Sequence, residues 1–412
     1  MYTWAVHAGG RTFGLASKTM RRALLFALVG LAVWVPGVEA RDIAQPAGWC
    51  WFADPRAIAF HGHAVFGWVD GEGDVMVGDD TGRRFRLQTR LQRDDHDNPA
   101  FYVRKDGRLM AFWTAHLGDR LYYRTARNLK SWGPTRLGPT NPAPGGLFTY
   151  PNPRRMDGTL YLFWSGVGSS VTYATSRDDG RTWSTAKTVF RPDGPWVRYI
   201  KYARGRNGIH MTWVIVHPRY FSSSVYHAII RNGAIWKQDG TRIGTLGQPI
   251  PATSGDLVYD VTTHGGAWIH DIAVKHGVPF IAYATFGTPA NHVYRLAYWK
   301  KGWHQRAITA AGPAFPELPG EEQYSGGISF DHRTPRRLYL SRKVAGQYEI
   351  EEWIRRHGRW HHRALTQNSS VPNVRPYPVG DGVAWLRGRY PNYMTYLTAL
   401  TWTRLRSGGG TR

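Results

Sequence analysis

Residues 176–183 read SRDDGRTW, Ser176 to Trp183, and this octapeptide sets the architecture of the chain. It fits the Asp-box pattern S-x-D-x-G-x-T-W at five of eight positions. An aspartate and a glycine at that spacing make a tight hairpin turn, and the tryptophan closes back onto the strands it joins. Degenerate copies surround it: NLKSWGPTRL, RNGAIWKQDGTRI, WKKGWHQRAIT and RHGRWHHRALT. Each is a turn followed by a tryptophan and a strand.

The anchors Trp132, Trp183, Trp236, Trp303 and Trp360 lie 51, 53, 67 and 57 residues apart. A segment around Phe85 supplies a unit before them, and Val383 to Arg404 supplies one after them, closing the ring with the N-terminal strand. Seven units of about 53 residues match the repeat length of propeller blades, with six and eight as the neighbouring alternatives. Between anchors run short β-branched and aromatic stretches such as AVFGWV, LMAFWTA, GIHMTWVIV and VPFIAYATF, punctuated by 47 Gly and 25 Pro. Helical periodicity is nearly absent after residue 41. The expectation is an all-β, seven-bladed β-propeller forming one domain over residues 41–405, with a flexible tail at 406–412. Most of the 19 tryptophans are then blade-packing residues.

The N-terminal 40 residues read as an extension plus signal peptide. In MRRALLFALVGLAVWVPGVEA two arginines precede an apolar run, and Val38 and Ala40 fit a small-residue cleavage site. The run from Ala23 to Val35 is short for a membrane span. Cleavage after Ala40 gives a secreted or periplasmic protein with no membrane span, read as a monomer. The single cysteine, Cys50, allows no internal disulfide and reads as a buried, inert thiol without a base nearby.

The chain carries a formal charge of +24, about +21 without the first 40 residues. Such an excess favours polyanionic partners. The cations are scattered rather than gathered into a tail or helix, and export argues against nucleic acid. An acidic polysaccharide is the expected partner.

Candidate chemistry sits in RDDHDNPAFYVRKDGRLMAFWTAH, residues 93–116. His96 lies among Asp94, Asp95 and Asp97, which would raise its pKa, and His116 follows one hairpin later. Asp94 and Asp95 make a poor acid–nucleophile pair if they are strand neighbours facing opposite ways. His217, His227, His270 and His292 show no compact metal-binding spacing. No cofactor is needed for the expected catalysis. A structural zinc or calcium ion is conceivable, with no ligands assigned. Glu317, Glu321 and Glu322 in PELPGEEQY keep a sialidase-like glycoside hydrolase open.

GWCWFADPRA, RDDHDNPA, GRLMAFWTAH, FTYPNPRRM, LYLFWSG, SRDDGRTW, RYIKYA, VHPR and IAYATF occur in the same order as in BNR-repeat proteins. From about Gly48 to Trp303 the chain resembles that family, whose propeller members include the ulvan lyases. The resemblance implies a polysaccharide lyase that cleaves a uronate-containing polymer by β-elimination. It implies catalytic roles for His96, His116, Tyr150 and Tyr199, with Tyr202 as the alternative to Tyr199. Asn98, Asn152, Arg154, Ser165, Arg198 and Tyr202 are the expected substrate contacts. Ser165 stands where those lyases carry an arginine that neutralises the uronate carboxylate, and Arg154 and Arg198 are the candidate replacements. A non-catalytic propeller that binds acidic glycans is the third reading, which Ser165 favours and the two histidines oppose.

Overall fold

The computed structural model describes residues 40–142, 145–166, 170–191, 197, 199–288, 290–316 and 319–405. The signal-peptide expectation, Arg198, Glu317 and the 406–412 tail lie outside the described residues.

Seven antiparallel sheets form among the described residues, in chain order. Blade 1 contains the strands Ala57–Phe60, His63–Val69, Val75–Asp79 and Arg84–Gln88. Blade 2 contains Ala100–Val103, Leu109–Trp113 and Tyr122–Asn128, with short outer pieces at Ser131–Trp132 and Arg136–Leu137. Blade 3 runs Thr149–Met156, Thr159–Ser165, Val171–Ser176 and Lys187–Thr188. Blades 4, 5 and 6 start at Ile200, Gly266 and Ile328. Blade 7 joins Asn373–Val379, Gly382–Asn392 and Thr395–Arg404 to the N-terminal strand Ala40–Ala44. Ala40 pairs with Thr403 and Ala44 with Leu400, so the ends of the chain close the ring. Closure leaves no sheet with a free central edge. The fold is all-β and seven-bladed. Among the described residues no helix is long and apolar enough to cross a membrane.

The repeat read from the sequence marks the outer strands. Trp132, Trp303 and Trp360 lie in the outermost strands of blades 2, 5 and 6, Trp236 lies one strand in from the outermost strand Arg242–Thr245 of blade 4, and Trp183 precedes the outermost strand of blade 3. A second aromatic series lies deeper. Trp68, Trp113, Trp164, Trp213 and Trp385 all sit in second strands and are fully buried, with Tyr283 and Tyr339 in the corresponding strands of blades 5 and 6. Successive blades pack on one another through these rings, which removes more apolar surface from water than the outer anchors do.

The Asp-box turn forms as expected. Asp178 accepts hydrogen bonds from the backbone N–H and hydroxyl of Thr182, and Ser176 Oγ accepts from Gly180 N at 2.7 Å. Gly180 has φ +90°, and a Cβ there would meet Met110 Cε at 2.8 Å, so the turn requires glycine. Trp183 packs edge-on against Phe112 of blade 2, and the motif therefore ties two blades together rather than closing only its own.

Candidate active site

The first strand of blade 2 runs away from the loop that holds His96, and the second returns to His116. One hairpin therefore brings both residues to the same end of the propeller. Asp94 caps a 3-10 turn at Asp95–Asp97 and accepts from His96 N at 2.9 Å. Its carboxylate then divides between two rings. Oδ1 lies 2.5 Å from His96 Nδ1, and Oδ2 lies 2.9 Å from His116 Nδ1. The imidazoles stack with centroids 4.0 Å apart and planes 8° from parallel. With Nδ1 engaged on each ring, Nε2 is the nitrogen left to meet a ligand. Asp97 fixes the second histidine by accepting its backbone N–H at 2.7 Å.

Asp95 underpins the first. Its carboxylate lies 3.1 Å from His96 Nδ1 and binds Arg375 at 2.5 Å and the Tyr390 hydroxyl. Asp94 and Asp95 thus converge on one ring, because they sit at a 3-10 turn and not in a strand. The expectation that they face opposite ways does not hold here. Burial and hydrogen bonding still commit both, which leaves neither as a nucleophile.

Burial opposes charge on His96, while Cys50, Asp94 and Asp95 favour it, and its pKa stands well above the ordinary imidazole value. Burial pushes the Cys50 thiol up, so it is neutral near neutral pH and the two carboxylates carry the effect on His96. Cys50 is buried as expected, but its sulfur stands within 4.8 Å of a His96 nitrogen and an Asp95 oxygen. A base is therefore near, contrary to the sequence reading, and the raised pKa is what keeps the thiol unreactive.

An open cleft with about 810 Å³ of empty space spans this end of the molecule, lined by His96, His116, Tyr150, Ser165, Tyr199 and residues from later blades. Tyr150 enters it through a β-bulge. The register with the next strand shifts between Thr149 and Asn152, and Tyr150 has φ +59°, a region that bulky residues rarely occupy. Asn152 stabilises the bulge by donating from Nδ2 to the carbonyls of Phe52 (2.7 Å) and Tyr150 (3.0 Å). Burial holds the Tyr150 hydroxyl well above the usual phenol pKa, so it stays protonated. Tyr199 packs on Phe52 at 5.0 Å and Trp268 at 5.3 Å, forming an aromatic floor with Tyr150.

Four expected substrate contacts belong to the framework instead. Asn98 is fully buried and accepts the Cys50 N–H at 2.9 Å. Asn152 is used up in the bulge. Arg154 donates to the carbonyls of Asp54, Pro153 and Tyr202 at 2.8–3.2 Å, which leaves it no part in neutralising a uronate. Tyr202 stacks on Phe163 at 4.4 Å between blades and cannot stand in for Tyr199. Ser165 does line the cleft, with no charge to offer.

Arg219, Tyr324 and Tyr393 are among the cleft residues that escaped the sequence reading. Arg219 sits in the middle of the short 3-10 turn Pro218–Tyr220, where His217 Nδ1 accepts its backbone N–H at 3.1 Å. Its guanidinium reaches the cleft mouth and lies 3.3 Å from Glu321. Tyr393 stands edge-on to both histidines, at 5.1 Å from His96 and 5.8 Å from His116. The VHPR motif was the available signal for Arg219; nothing local marks the tyrosines.

Two groups of three metal-capable side chains occur among the described residues, Cys50–Asp95–His96 and Asp94–His96–His116. Both fall within the histidine cluster; in the second the Asp94 oxygens already bond both ring nitrogens, whereas in the first Asp95 Oδ1 is buried without a hydrogen-bond partner among the described residues. His217, His227, His270 and His292 join no such group. His227 instead bonds His210 and Asp256, and His270 bonds Ser325.

A family model described as BNR repeat-containing family member matches residues 65–311. Among solved structures, a PL25 ulvan lyase is 14% identical with a TM-score of 0.65, covering 88% of this chain and 95% of its own. A PL25 ulvan lyase bound to -[GlcA(1-4)Rha3S]- gives 14% and 0.63, covering 90% and 95%. The polysaccharide lyase Uly1 gives 14% and 0.56, covering 86% and 91%. At that identity the likeness is one of fold. No curated protein matches the chain.

Proposed function

We propose that this chain, which belongs to the BNR repeat-containing family, is a carbohydrate-active propeller that cleaves an anionic, uronate-containing polysaccharide by β-elimination. One observation carries the reading: a single carboxylate, Asp94, orients two stacked histidines at a cleft that also holds Tyr150, Tyr199 and Arg219.

β-Elimination removes the proton at C5 of a 4-linked uronate, forms the C4–C5 double bond and expels the oxygen on C4. The C5 proton is acidic only if the adjacent carboxylate is neutralised as charge develops. Arg219 and the imidazolium of His96 are the cations at hand. In this reading His116 is the base that takes the C5 proton, and the Tyr150 phenol protonates the leaving oxygen. Tyr199 and Tyr393 supply stacking faces for the sugar rings. The same reading makes the protein an exported one, on the strength of the segment before Arg41.

Hydrolysis is the second reading, because Glu321 and Tyr324 face the same cleft. Mixing the mature protein with ulvan, glucuronan, rhamnogalacturonan and glycosaminoglycans separates the two. Ultraviolet absorbance of an unsaturated uronate supports elimination, and new reducing ends without that absorbance select hydrolysis. Retention on a polymer with neither product leaves a binding protein.

A further inference from the structure

A second charged concavity lies away from the cleft, between blades 2 and 3. Its walls carry Arg104 and Arg108 from the blade 2 hairpin, Arg127 and Arg136 from the outer strands of blade 2, and Arg181 from the Asp-box turn of blade 3. It holds about 1250 Å³ of empty space, and no carboxylate lines it. The strands fix where it sits. Leu109–Trp113 starts beside Arg108 and leads to His116, so the hairpin Arg104–Arg108 lies at the end of the blade opposite the histidines.

The arginines differ in their partners. Asp106 stands 3.3 Å from Arg104 and 3.8 Å from Arg108, and Asp179 stands 3.8 Å from Arg104 Nε. That Nε is buried and makes no hydrogen bond among the described residues. Arg127, Arg136 and Arg181 are exposed and have no acidic partner among the described residues. Asp178 and Asp179, the nearest acids of the Asp-box, are occupied. Asp178 holds Thr182, and Asp179 accepts from the Tyr102 hydroxyl and Lys105 N. The groove thus gathers five guanidinium groups, three of which have no acidic partner among the described residues. Guanidinium forks match the planar or trigonal oxygens of carboxylates and sulfate esters.

We infer that this groove is a second binding site for acidic polysaccharide, holding a sulfated or carboxylated stretch of the chain while another stretch occupies the cleft. The inference rests on the proposed function only for the class of polymer. A chain held at two sites has a raised local concentration at each, so the groove would act on long substrates and not on short ones.

Retardation in native gels containing ulvan tests it, with all proteins carrying His116→Ala so that the polymer stays intact. Adding Arg127→Ala, Arg136→Ala and Arg181→Ala together should weaken retention by at least about tenfold, the sum of three modest exposed charge contacts. Thermal melting should not move, because the three side chains are exposed. With His116 intact, the triple variant should lose turnover on the polymer and keep it on a tetrasaccharide. Desulfated ulvan separates the two ligand groups: retained binding assigns the groove to carboxylates, and lost binding assigns it to sulfates. Unchanged retention of the triple variant overturns the inference. Equal retention by duplex DNA, lost in parallel, overturns it too by making the groove a general anion surface. Retardation needs no bond cleavage, so failure to detect elimination would leave this result standing.

Discussion

His96 and His116 stack face to face at 4.0 Å, each tied through Nδ1 to a different oxygen of Asp94. The carboxylate sets the tautomer and the orientation of both rings at once. Asp94 is therefore a positioning residue. Its own pKa is depressed: burial raises it, but hydrogen bonds from His116 and His96 more than offset that.

Asp94→Asn should cut turnover by about a hundredfold or more, the scale of losing an oriented catalytic partner. It should also lower the pKa of His96, which depends on that charge. If the His96 cation is required, activity falls as pH rises through its pKa, and this limb should move to lower pH in the variant. A pH–rate profile separates this from a general structural loss, which would scale the curve without moving it.

Stability should follow the same groups. The folded-state pKa of His96 is raised, so its contribution is complete below the unfolded imidazole pKa and is lost as pH rises through the folded value. Asp94 is depressed, so its contribution is present above the ordinary carboxylate pKa and is lost as pH falls through the folded value. In denaturant titrations the stability gap between wild type and His96→Ala should narrow at alkaline pH, once the raised histidine loses its proton.

In the proposed elimination Arg219 supplies, from another blade, the cation missing at Ser165. Arg219→Ala should reduce kcat/KM on a polyuronate by about a hundredfold. Introducing Ser165→Arg into that background should recover part of the loss, because both positions line one cleft. Steady-state rates of the single and double variants decide it. A wild-type rate for Arg219→Ala would remove the residue from the site.

Asn152→Ala should act through Tyr150. It removes the donor to the Phe52 and Tyr150 carbonyls in a buried, strained bulge. The expected cost is about 1–3 kcal/mol for each acceptor left unpaired, seen as a lower melting temperature. Turnover should fall with it as Tyr150 loses its aim.

The ring was legible because its period is written in residues that cannot do otherwise. The Asp-box turn needs Gly180, and an anchor tryptophan recurs in each of blades 2 to 6. The paired histidines were legible because one hairpin separates them. What the sequence hid arises from convergence around the ring. Arg375 reaches Asp95 across 280 positions, and Tyr390 lies as far away, so no local pattern joins them. Arg154 was misplaced for a different reason. The bulge at Tyr150–Asn152 breaks strand alternation, and alternation is what a reader of sequence counts on.

The central claim is that the histidine pair performs an elimination. The most direct measurement is the ultraviolet time course of the mature protein and its His116→Ala variant, side by side, on one polyuronate that the protein binds. Rising absorbance from the unsaturated uronate is expected with the native protein and none above background with the variant, while both bind the polymer alike. Equal rates from the two proteins would contradict that claim.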